Sequence, residues 1–278
     1  MSRLSLARGP WRAEIAPELG GNLTKLEWNG QAVLQAIDAA DDPYLYGAPI
    51  LLPANRTRGG RFRFEGREYA LPVNEPAGPA HLHGRVHDAS FALVRADADA
   101  VELRLDAGEA LYPFPFRLEV RYRLCDAGLR ADYEITNAGD GAMPLTFGLH
   151  TTFIAPERFS VPIDREQERD ARNLPTGAYR PLNAQQQAYV RGCDPRGARI
   201  SGYFSSAGTV ARIGRFRYAA EGGFDHWVLY NGGGNRGYLC VEPQCGAVDG
   251  LNLPGGRRVI APGEALCLRT RLERIPAE

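Results

Sequence analysis

FRLEVRYRL, at Phe116–Leu124, alternates apolar and charged side chains from end to end. A turn at Asp126–Gly128 follows, and the next run, LRADYEI at Leu129–Ile135, alternates in the same way. Successive side chains of a β-strand point to opposite faces, so this period of two places one face of each run in a core and the other in water. Strands that are joined by a short turn pair antiparallel. The sequence therefore predicts a long antiparallel strand pair at the centre of the fold.

The same alternation recurs on both sides of this pair. Val101–Leu105 precedes it, and Ala265–Leu272 follows a Pro-Gly turn further along the chain. Arg61–Leu71 contains two alternating runs on either side of Glu65-Gly66, which is typical of a hairpin with a tight turn. Helical spacing is scarce, and the stretch Asn183–Gln187 is compatible with a short helix or with a loop. These patterns predict an all-β fold of stacked antiparallel sheets.

Composition limits the organisation of the chain and its partners. No linker, charge block or fixed-period repeat divides the 278 residues, so we expect residues 1–278 to form a single domain. Hydrophobic residues make up 44% of the chain, which is enough for a sizeable core and excludes a disordered tail. Acidic and basic residues balance at 33 each, so no net positive charge attracts phosphate backbones, and we expect no nucleic-acid partner.

Signals for membranes and for export are missing from the given sequence. It contains no apolar run of about 18 residues, and its first residues lack the pattern of a signal peptide. Five cysteines, an odd number without a CxxC pair, are typical of reduced thiols. We therefore expect a cytoplasmic protein with no membrane partner, and the oligomeric state stays open.

Two polar segments interrupt the alternation in the first third of the chain. Asn55-Arg56 precedes a Gly-rich loop, where the forked donors of an arginine can hold hydroxyl groups or a carboxylate, although an ordinary loop has the same pattern. His81, His83 and His87 lie within seven positions, and His-x-His in a strand places two imidazoles on one face, as a metal site requires. Because no third ligand lies nearby, we expect no metal there.

Two further polar residues stand beside apolar stretches. His150 ends the run Phe147–Leu149, a pattern shared by satisfied core histidines and catalytic ones. Glu242 follows Leu-Cys-Val, and a buried carboxylate is costly unless it is paired or used. Desolvation would raise the pKa of that carboxyl and suit it to general base catalysis, whereas a strand-end glutamate would simply face water. Asp225, in Phe-Asp-His-Trp, is the other carboxylate of this region.

In chain order, these segments resemble the aldose 1-epimerase (galactose mutarotase) family. The matching motifs are Asn55-Arg56 with Gly60-x-Phe62, Gly66 and Tyr69-x-Leu71, then Leu82-His83-Gly84, Tyr112-Pro113, His150-x-x-Phe153, Leu174-Pro175-Thr176-Gly177, Phe224-Asp225-His226, Cys240-Val241-Glu242-Pro243-Gln244 with Asp249-x-x-Asn252, and Pro262-Gly263-Glu264. Each motif alone is weak, but their common order from about Asn22 to Leu272 is specific. The resemblance implies a large twisted antiparallel β-sandwich (a galactose mutarotase-like supersandwich) with no cofactor and no metal.

The resemblance also implies an enzyme that interconverts the α and β anomers of a free aldose. Glu242 would take the proton of the anomeric hydroxyl and His150 would protonate the ring oxygen, so that the hemiacetal opens and recloses on its other face. Phe153, Trp227 and Tyr230 are candidates for stacking on the sugar. The implied substrate-binding residues are His83, Asp225, Arg56, Asn55 and Gln244.

Departures from the family pattern leave the sugar open. Thr152 stands where the family has a tyrosine, and Arg85 stands where it has a glycine. If His81 and Arg85 line the site, an acidic or phosphorylated sugar is expected, which makes a hexose-6-phosphate epimerase one alternative. A non-catalytic sugar-binding protein on the same fold is a second alternative. A glycoside hydrolase with Asp225 and Glu242 as its two carboxylates, or a metal enzyme built on the paired histidines, completes the set.

Overall fold

The computed structural model describes residues 3–37, 42–75 and 78–276. Helix α1 spans Ala184–Arg191, and a 3-10 turn spans Val86–Asp88. The strands are β1 Leu4–Arg8, β2 Trp11–Ala16, β3 Asn22–Trp28, β4 Gln31–Ala32, β5 Ile50–Leu51, β6 Arg56–Arg58, β7 Arg61–Phe64, β8 Arg67–Ala70, β9 Ala80–Leu82, β10 Ala92–Ala96, β11 Ala100–Ala107, β12 Phe116–Leu124, β13 Gly128–Asn137, β14 Met143–Leu145, β15 Phe147–Leu149, β16 Thr152–Ile154, β17 Phe159–Ser160, β18 Ile163–Arg169, β19 Pro175–Pro181, β20 Ser201–Ser206, β21 Val210–Ile213, β22 Phe216–Glu221, β23 His226–Tyr230, β24 Tyr238–Cys245, β25 Arg258–Ile260 and β26 Ala265–Arg274.

Two large sheets dominate, and the pairings between the named strands are antiparallel. The first, here called the back sheet, has the order β10-β11-β12-β13-β26-β22-β21-β17. The second, the site sheet, has the order β19-β18-β20-β23-β24-β15-β5, with β16 also paired to β24. A four-stranded sheet, β1 to β4, and three two-stranded sheets complete the described part of the chain. The predicted all-β class is confirmed.

The strand pair that decides the fold lies in the middle of the back sheet. Strands β12 and β13 pair from Phe116↔Asn137 to Leu124↔Leu129, and the apolar side chains of β12 are buried while most of its charged ones are half-exposed or exposed. The two large sheets meet through aromatic contacts such as Tyr133 with Phe147, whose ring centroids lie 5.5 Å apart. A single hydrophobic cluster contains side chains from both sheets and from the four-stranded sheet. The apolar residues of the alternating strands therefore pack into one core between the sheets.

Local signals also decide two smaller elements. In the β7–β8 hairpin, Glu65 and Gly66 both have positive φ (49° and 78°), as a tight turn between twisted strands requires. The stretch that the sequence left between helix and loop begins helix α1, because Asn183 and Gln186 form a reciprocal capping box at its first turn. Within the described ranges, the structure has no helix of the length and hydrophobicity needed to cross a bilayer.

Candidate active site

A cavity of about 340 Å³ opens over the site sheet. Five of the catalytic and sugar-binding residues proposed from the sequence line it: Asn55, Arg56, His83, His150 and Glu242. A larger groove of about 640 Å³ crosses the β7–β8 hairpin, but the charged side chains that line it are exposed or half-exposed, and none is buried. Because buried titratable groups mark functional sites better than volume does, the smaller cavity is the candidate active site.

Glu242 and His150 face each other across neighbouring strands. Strand β24 pairs with β15 just before His150 and with β16 just after it, so the register places His150 opposite Glu242. His150 itself lies in the break between β15 and β16, where its backbone N–H donates to the carbonyl of Pro49 (2.9 Å). Its Nε2 lies 3.5 Å from Oε1 of Glu242, which is too long for a strong hydrogen bond but within reach after a small shift.

Burial sets the protonation of this pair. The side chains of His150 and Glu242 are only 8% and 2% exposed. Desolvation raises the pKa of the Glu242 carboxyl well above its ordinary value and lowers the pKa of His150 to about 4. Burial therefore favours the protonated carboxyl and the neutral imidazole, a combination that carries one proton. Within the described structure, Oε2 of Glu242 and Nδ1 of His150 have no hydrogen-bond partner.

A small two-stranded sheet brings Asn55 and His83 to the cavity. Strands β6 and β9 pair antiparallel, and the backbone N–H of His83 donates to the carbonyl of Asn55 (2.8 Å) where the two strands end. Both residues have positive φ, 55° and 63°. The next residue, Gly84, also has positive φ (66°), and a Cβ there would overlap the carbonyl oxygen of Leu52. This tight backbone packing turns the His83 ring towards His150, with ring centroids 5.2 Å apart.

Arg56 is fixed by partners that the sequence did not indicate. Its guanidinium donates to Oε1 of Glu75 from Nε (2.7 Å) and to the hydroxyl of Tyr203 from a terminal nitrogen (2.7 Å). The second terminal nitrogen lies 2.6 Å from the same Glu75 oxygen. Because Glu75 and Tyr203 hold its guanidinium, Arg56 presents an oriented donor to the cavity. Its positive charge partly offsets the burial that raises the pKa of Glu242.

Tyr44 joins the two histidines and was missed in the sequence. Its ring centroid lies 4.5 Å from that of His83 and 6.2 Å from that of His150. Its hydroxyl lies 3.2 Å from Nε2 of His87, which gives that histidine a contact. Thr152, at the position where the family has a tyrosine, is buried and donates to the carbonyl of His150 instead (3.3 Å). Tyr44 thus supplies an aromatic ring to the site from a loop that has no recognisable motif.

The structure leaves two of the expected substrate-binding residues outside the lining of the cavity. Oδ1 of Asp225 accepts from Gly246 N (2.9 Å) and contacts the His226 ring (2.7 Å), while Oδ2 accepts from Arg258 (2.7 Å). These contacts hold Asp225 at the start of β23, away from Glu242. The side chain of Gln244 is fully buried beyond the cavity, and its amide atoms have no partner among the described residues.

The expectation that two imidazoles share one strand face is wrong. His83 lies beyond the end of β9 with positive φ, so strand alternation does not extend to it. The ring of His81 contacts the carbonyl of Pro72 (2.6 Å) and does not line the cavity. Arg85 is exposed and lies 3.4 Å from Asp88, also outside the cavity. Neither His81 nor Arg85 therefore supports the inference of an acidic sugar that was based on them.

Of the three aromatic residues considered for stacking on the sugar, one lines the cavity and two are buried in the core. Phe153 and Trp227 are buried in the hydrophobic core, 0% and 1% exposed, and do not line the cavity. Tyr230 is exposed and lines it. Since β23 alternates its side chains, Tyr230 and Val228 face the cavity while Trp227 faces the core.

One group of side chains has atoms spaced for a metal ion. His150, Cys240 and Glu242 each offer one ligand atom, and these atoms lie within 4.8 Å of one another. Nitrogen, sulphur and oxygen donors of this kind suit zinc. Burial raises the pKa of the Cys240 thiol well above its ordinary value, and its sulphur lies 3.5 Å from the hydroxyl of Thr152. A metal bound there would occupy the two side chains that share the proton of the site.

Comparison with known proteins identifies the class to which this fold and site belong. Residues 4–273 match the family model described as aldose 1-epimerase, so the chain belongs to the aldose 1-epimerase family. It is 29% identical over 150 residues to the uncharacterized protein YihR of Escherichia coli K12, a match that covers 53% of this chain and 48% of YihR. The chain thus spans about half the length of that relative.

Solved structures of the same class share the fold. A galactose mutarotase-like protein from Clostridium acetobutylicum superposes with a TM-score of 0.89 at 25% identity, over 98% of this chain and 95% of that one. A GalM/aldose epimerase homologue from Caenorhabditis elegans superposes with a TM-score of 0.82 at 18% identity, over 99% of each chain. These matches confirm the galactose mutarotase-like β-sandwich that the sequence motifs implied.

Proposed function

We propose that this member of the family is an aldose 1-epimerase that interconverts the α and β anomers of an aldose. The observation that supports it most is the buried pair of Glu242 and His150, which faces a cavity of sugar-binding size. Burial favours the protonated carboxyl and the neutral imidazole of this pair. Mutarotation needs a base at the anomeric hydroxyl O1 and an acid at the ring oxygen O5. A carboxyl and an imidazole that share a proton supply both roles.

In the proposed reaction, the sugar binds in the cavity with O1 beside Glu242 and O5 beside His150. Hydrogen bonds from the sugar replace lost solvation, so the proton moves from Glu242 to His150 and leaves a carboxylate beside an imidazolium. Glu242 takes the proton of O1 while His150 gives its proton to O5, and the C1–O5 bond breaks to form the open-chain aldehyde. Rotation about C1–C2 and the reverse transfers close the ring on the other face and restore both groups.

The remaining residues of the site hold the substrate in this geometry. Arg56 and Asn55 offer oriented donors for hydroxyl groups, and His83 offers an imidazole beside His150. The unpartnered Nδ1 of His83 is buried, and burial lowers its pKa well below the ordinary value, so this ring stays neutral and acts as a hydrogen-bonding group. Tyr230 provides an aromatic face for the apolar side of the ring.

The test is anomer exchange in freshly dissolved α-galactose and α-glucose, followed by polarimetry and by saturation-transfer NMR. We expect the parent protein to accelerate exchange and Glu242→Gln to lose about 10²–10⁴-fold of that acceleration, the usual contribution of a positioned acid–base group. Glu166→Gln is the matched control, because Glu166 is also buried in the site sheet but pairs with Arg180 outside the cavity.

Equal acceleration by Glu242→Gln and by the parent would contradict the proposed mechanism. Saturable sugar binding without any catalysed exchange would instead favour the non-catalytic sugar-binding alternative.

A further inference from the structure

The wall of the cavity away from the two histidines carries two more arginines. Arg169 ends strand β18 and is half-buried, and Arg199 is exposed just before β20. Both line the same cavity as Glu242. Neither belongs to a motif that the sequence comparison used, and the proposed proton transfers assign no role to either side chain.

Arg169 is oriented by its neighbours but not neutralised. Its two terminal nitrogens donate to the hydroxyl of Ser201 (3.0 Å) and to the carbonyl oxygen of the same residue. Its guanidinium carbon lies 5.1 Å from the centre of the Tyr203 ring, a cation–π contact that fixes the plane of the group. Five N–H donors are available on an arginine, so the free edge of this one stays available to a ligand.

The arginines on this wall of the cavity differ from Arg56 in their ion pairing. Arg56 is paired with Glu75, whereas neither Arg169 nor Arg199 forms an ion pair with any carboxylate of the described residues. Among the described residues, the acidic side chains that line the cavity are Glu242, whose protonated form burial favours, and Asp42, whose Oδ1 accepts from the backbone N–H of Tyr44 at the histidine end (2.8 Å). Two positive charges therefore face the cavity without an ion-pair partner among the residues that the structure describes.

The strand register separates these charges from the acid–base pair. Ser201, which holds Arg169, pairs with Tyr230 of β23, and Tyr230 pairs with Cys240 of β24, two residues from Glu242. Arg169 on β18 thus lies three strands away from β24, or about 14 Å between backbones at the usual strand spacing. Both side chains reach inward to one cavity, so the arginines meet a part of the substrate remote from the anomeric carbon.

We propose that the aldose bound here carries an oxyanion remote from C1, a carboxylate or a phosphate, and that Arg169 and Arg199 bind it. The proposal rests on the proposed mutarotase function. A planar guanidinium matches an oxyanion with two parallel hydrogen bonds, and this match is stronger than any bond to a neutral hydroxyl. For a neutral sugar, the half-buried Arg169 would lose hydration on ligand binding without gaining a counter-charge, which is unfavourable.

The experiment compares glucose with two anionic probes, glucuronate and glucose 6-phosphate, which separate a carboxylate from a phosphate. Binding is measured by calorimetry, and anomer exchange by saturation-transfer NMR, for the parent and for Arg169→Gln, Arg199→Gln and Arg165→Gln. Arg165 is the matched control, because it lies on β18 too but is exposed outside the cavity. Arg199→Gln keeps the test valid if Arg169→Gln fails to fold, since Arg199 is exposed.

We expect at least one anionic probe to bind more tightly than glucose. Each cavity variant should lower that preference about tenfold or more, as the loss of a charge-assisted pair implies, and Arg165→Gln should keep it. Tighter binding of glucose than of both probes, with catalysed exchange of glucose, would overturn the anionic subsite and leave the mutarotase function intact. Arginine-dependent binding of an anionic probe without any exchange would support the subsite and contradict the mutarotase function.

Discussion

At the scale of single residues, the proposed reaction depends on one proton shared by two buried groups. Burial disfavours the charged forms of both Glu242 and His150, and therefore favours the proton on the carboxyl. The Nε2–Oε1 distance of 3.5 Å allows a proton to pass between the two groups after a small shift. The proposed reaction therefore requires that the pair hold one proton, because two protons leave no base and the loss of both leaves no acid.

This requirement predicts a bell-shaped dependence of kcat/KM on pH. On the acid side, activity should fall near pH 4, where His150 takes up a second proton. On the alkaline side, activity should fall only where the pair loses its one proton, well above the ordinary carboxyl value of 4.5. These limbs belong to the coupled pair rather than to either residue. Exchange rates by NMR across pH, corrected for spontaneous mutarotation, measure both limbs, and an alkaline limb near 4.5 would contradict the burial of Glu242.

The same carboxyl should make folding stability depend on pH. The folded state keeps the Glu242 proton above pH 4.5, whereas the unfolded chain releases it, so this residue destabilises the fold as pH rises. Glu242→Gln removes the effect. We expect the unfolding free energy of the variant, relative to the parent, to rise by about 1.4 kcal/mol per pH unit above 4.5, until the raised pKa is reached. Urea titrations at several pH values measure this slope, and a difference that is constant with pH would show that Glu242 is ionised when folded.

Individual site residues differed in how far the sequence could predict them. Glu242 and His150 could be nominated from the sequence because a polar residue inside or at the end of an apolar stretch is a local anomaly. Tyr44 and Arg169 were not, because each reaches the cavity only through the packing of loops and strands distant in sequence. Asp225 has a family motif but lies beside Arg258, a partner that no local pattern indicates.

At the scale of elements, the ends of strands β6 and β9 form the part of the site with the least freedom. Positive φ at Asn55, His83 and Gly84 within this small sheet places the His83 ring against His150. The tight passage of Gly84 over Leu52 fixes the position of the whole segment.

Gly84→Ala should therefore impair catalysis as well as stability. Its methyl group would meet the carbonyl of Leu52, so the segment must shift and carry His83 with it. We expect kcat/KM to fall about tenfold to a hundredfold, as for a misplaced catalytic group. Gly59→Ala is the matched control, because Gly59 also has positive φ (62°) but open space around its Cβ position. The control should lose only about 1–2 kcal/mol of stability, and equal loss of activity in both variants would contradict the role of the Gly84 contact.

Elements were more predictable than their irregularities. Strands β12 and β13, and the β7–β8 hairpin, follow from alternation and turn residues alone. The placement of the His81 and His83 rings on one strand face was wrong because alternation holds only inside a strand, and β9 ends at Leu82. The break between β15 and β16 frees His150 for the cavity. The alternation of apolar and polar residues could not predict this break either.

At the scale of the whole molecule, one hydrophobic cluster joins the back sheet, the site sheet and the four-stranded sheet. Trp11 on β2 and Trp227 on β23 are both buried in this cluster, although they lie far apart in the sequence. We propose on this basis that residues 1–278 unfold as a single domain. Tryptophan fluorescence and far-ultraviolet circular dichroism should report one coincident transition in urea. Two separated transitions would show that the sheets unfold as independent units.

Strand β24 has a consequence that extends beyond the chemistry of its glutamate. It carries Cys240 and Glu242 on one face, while Leu239 and Val241 on the other face are fully buried in the core. The packing behind the strand therefore helps to set the position of Glu242 relative to His150. Substitutions in that apolar layer are expected to change this spacing while leaving every polar residue of the candidate site unchanged.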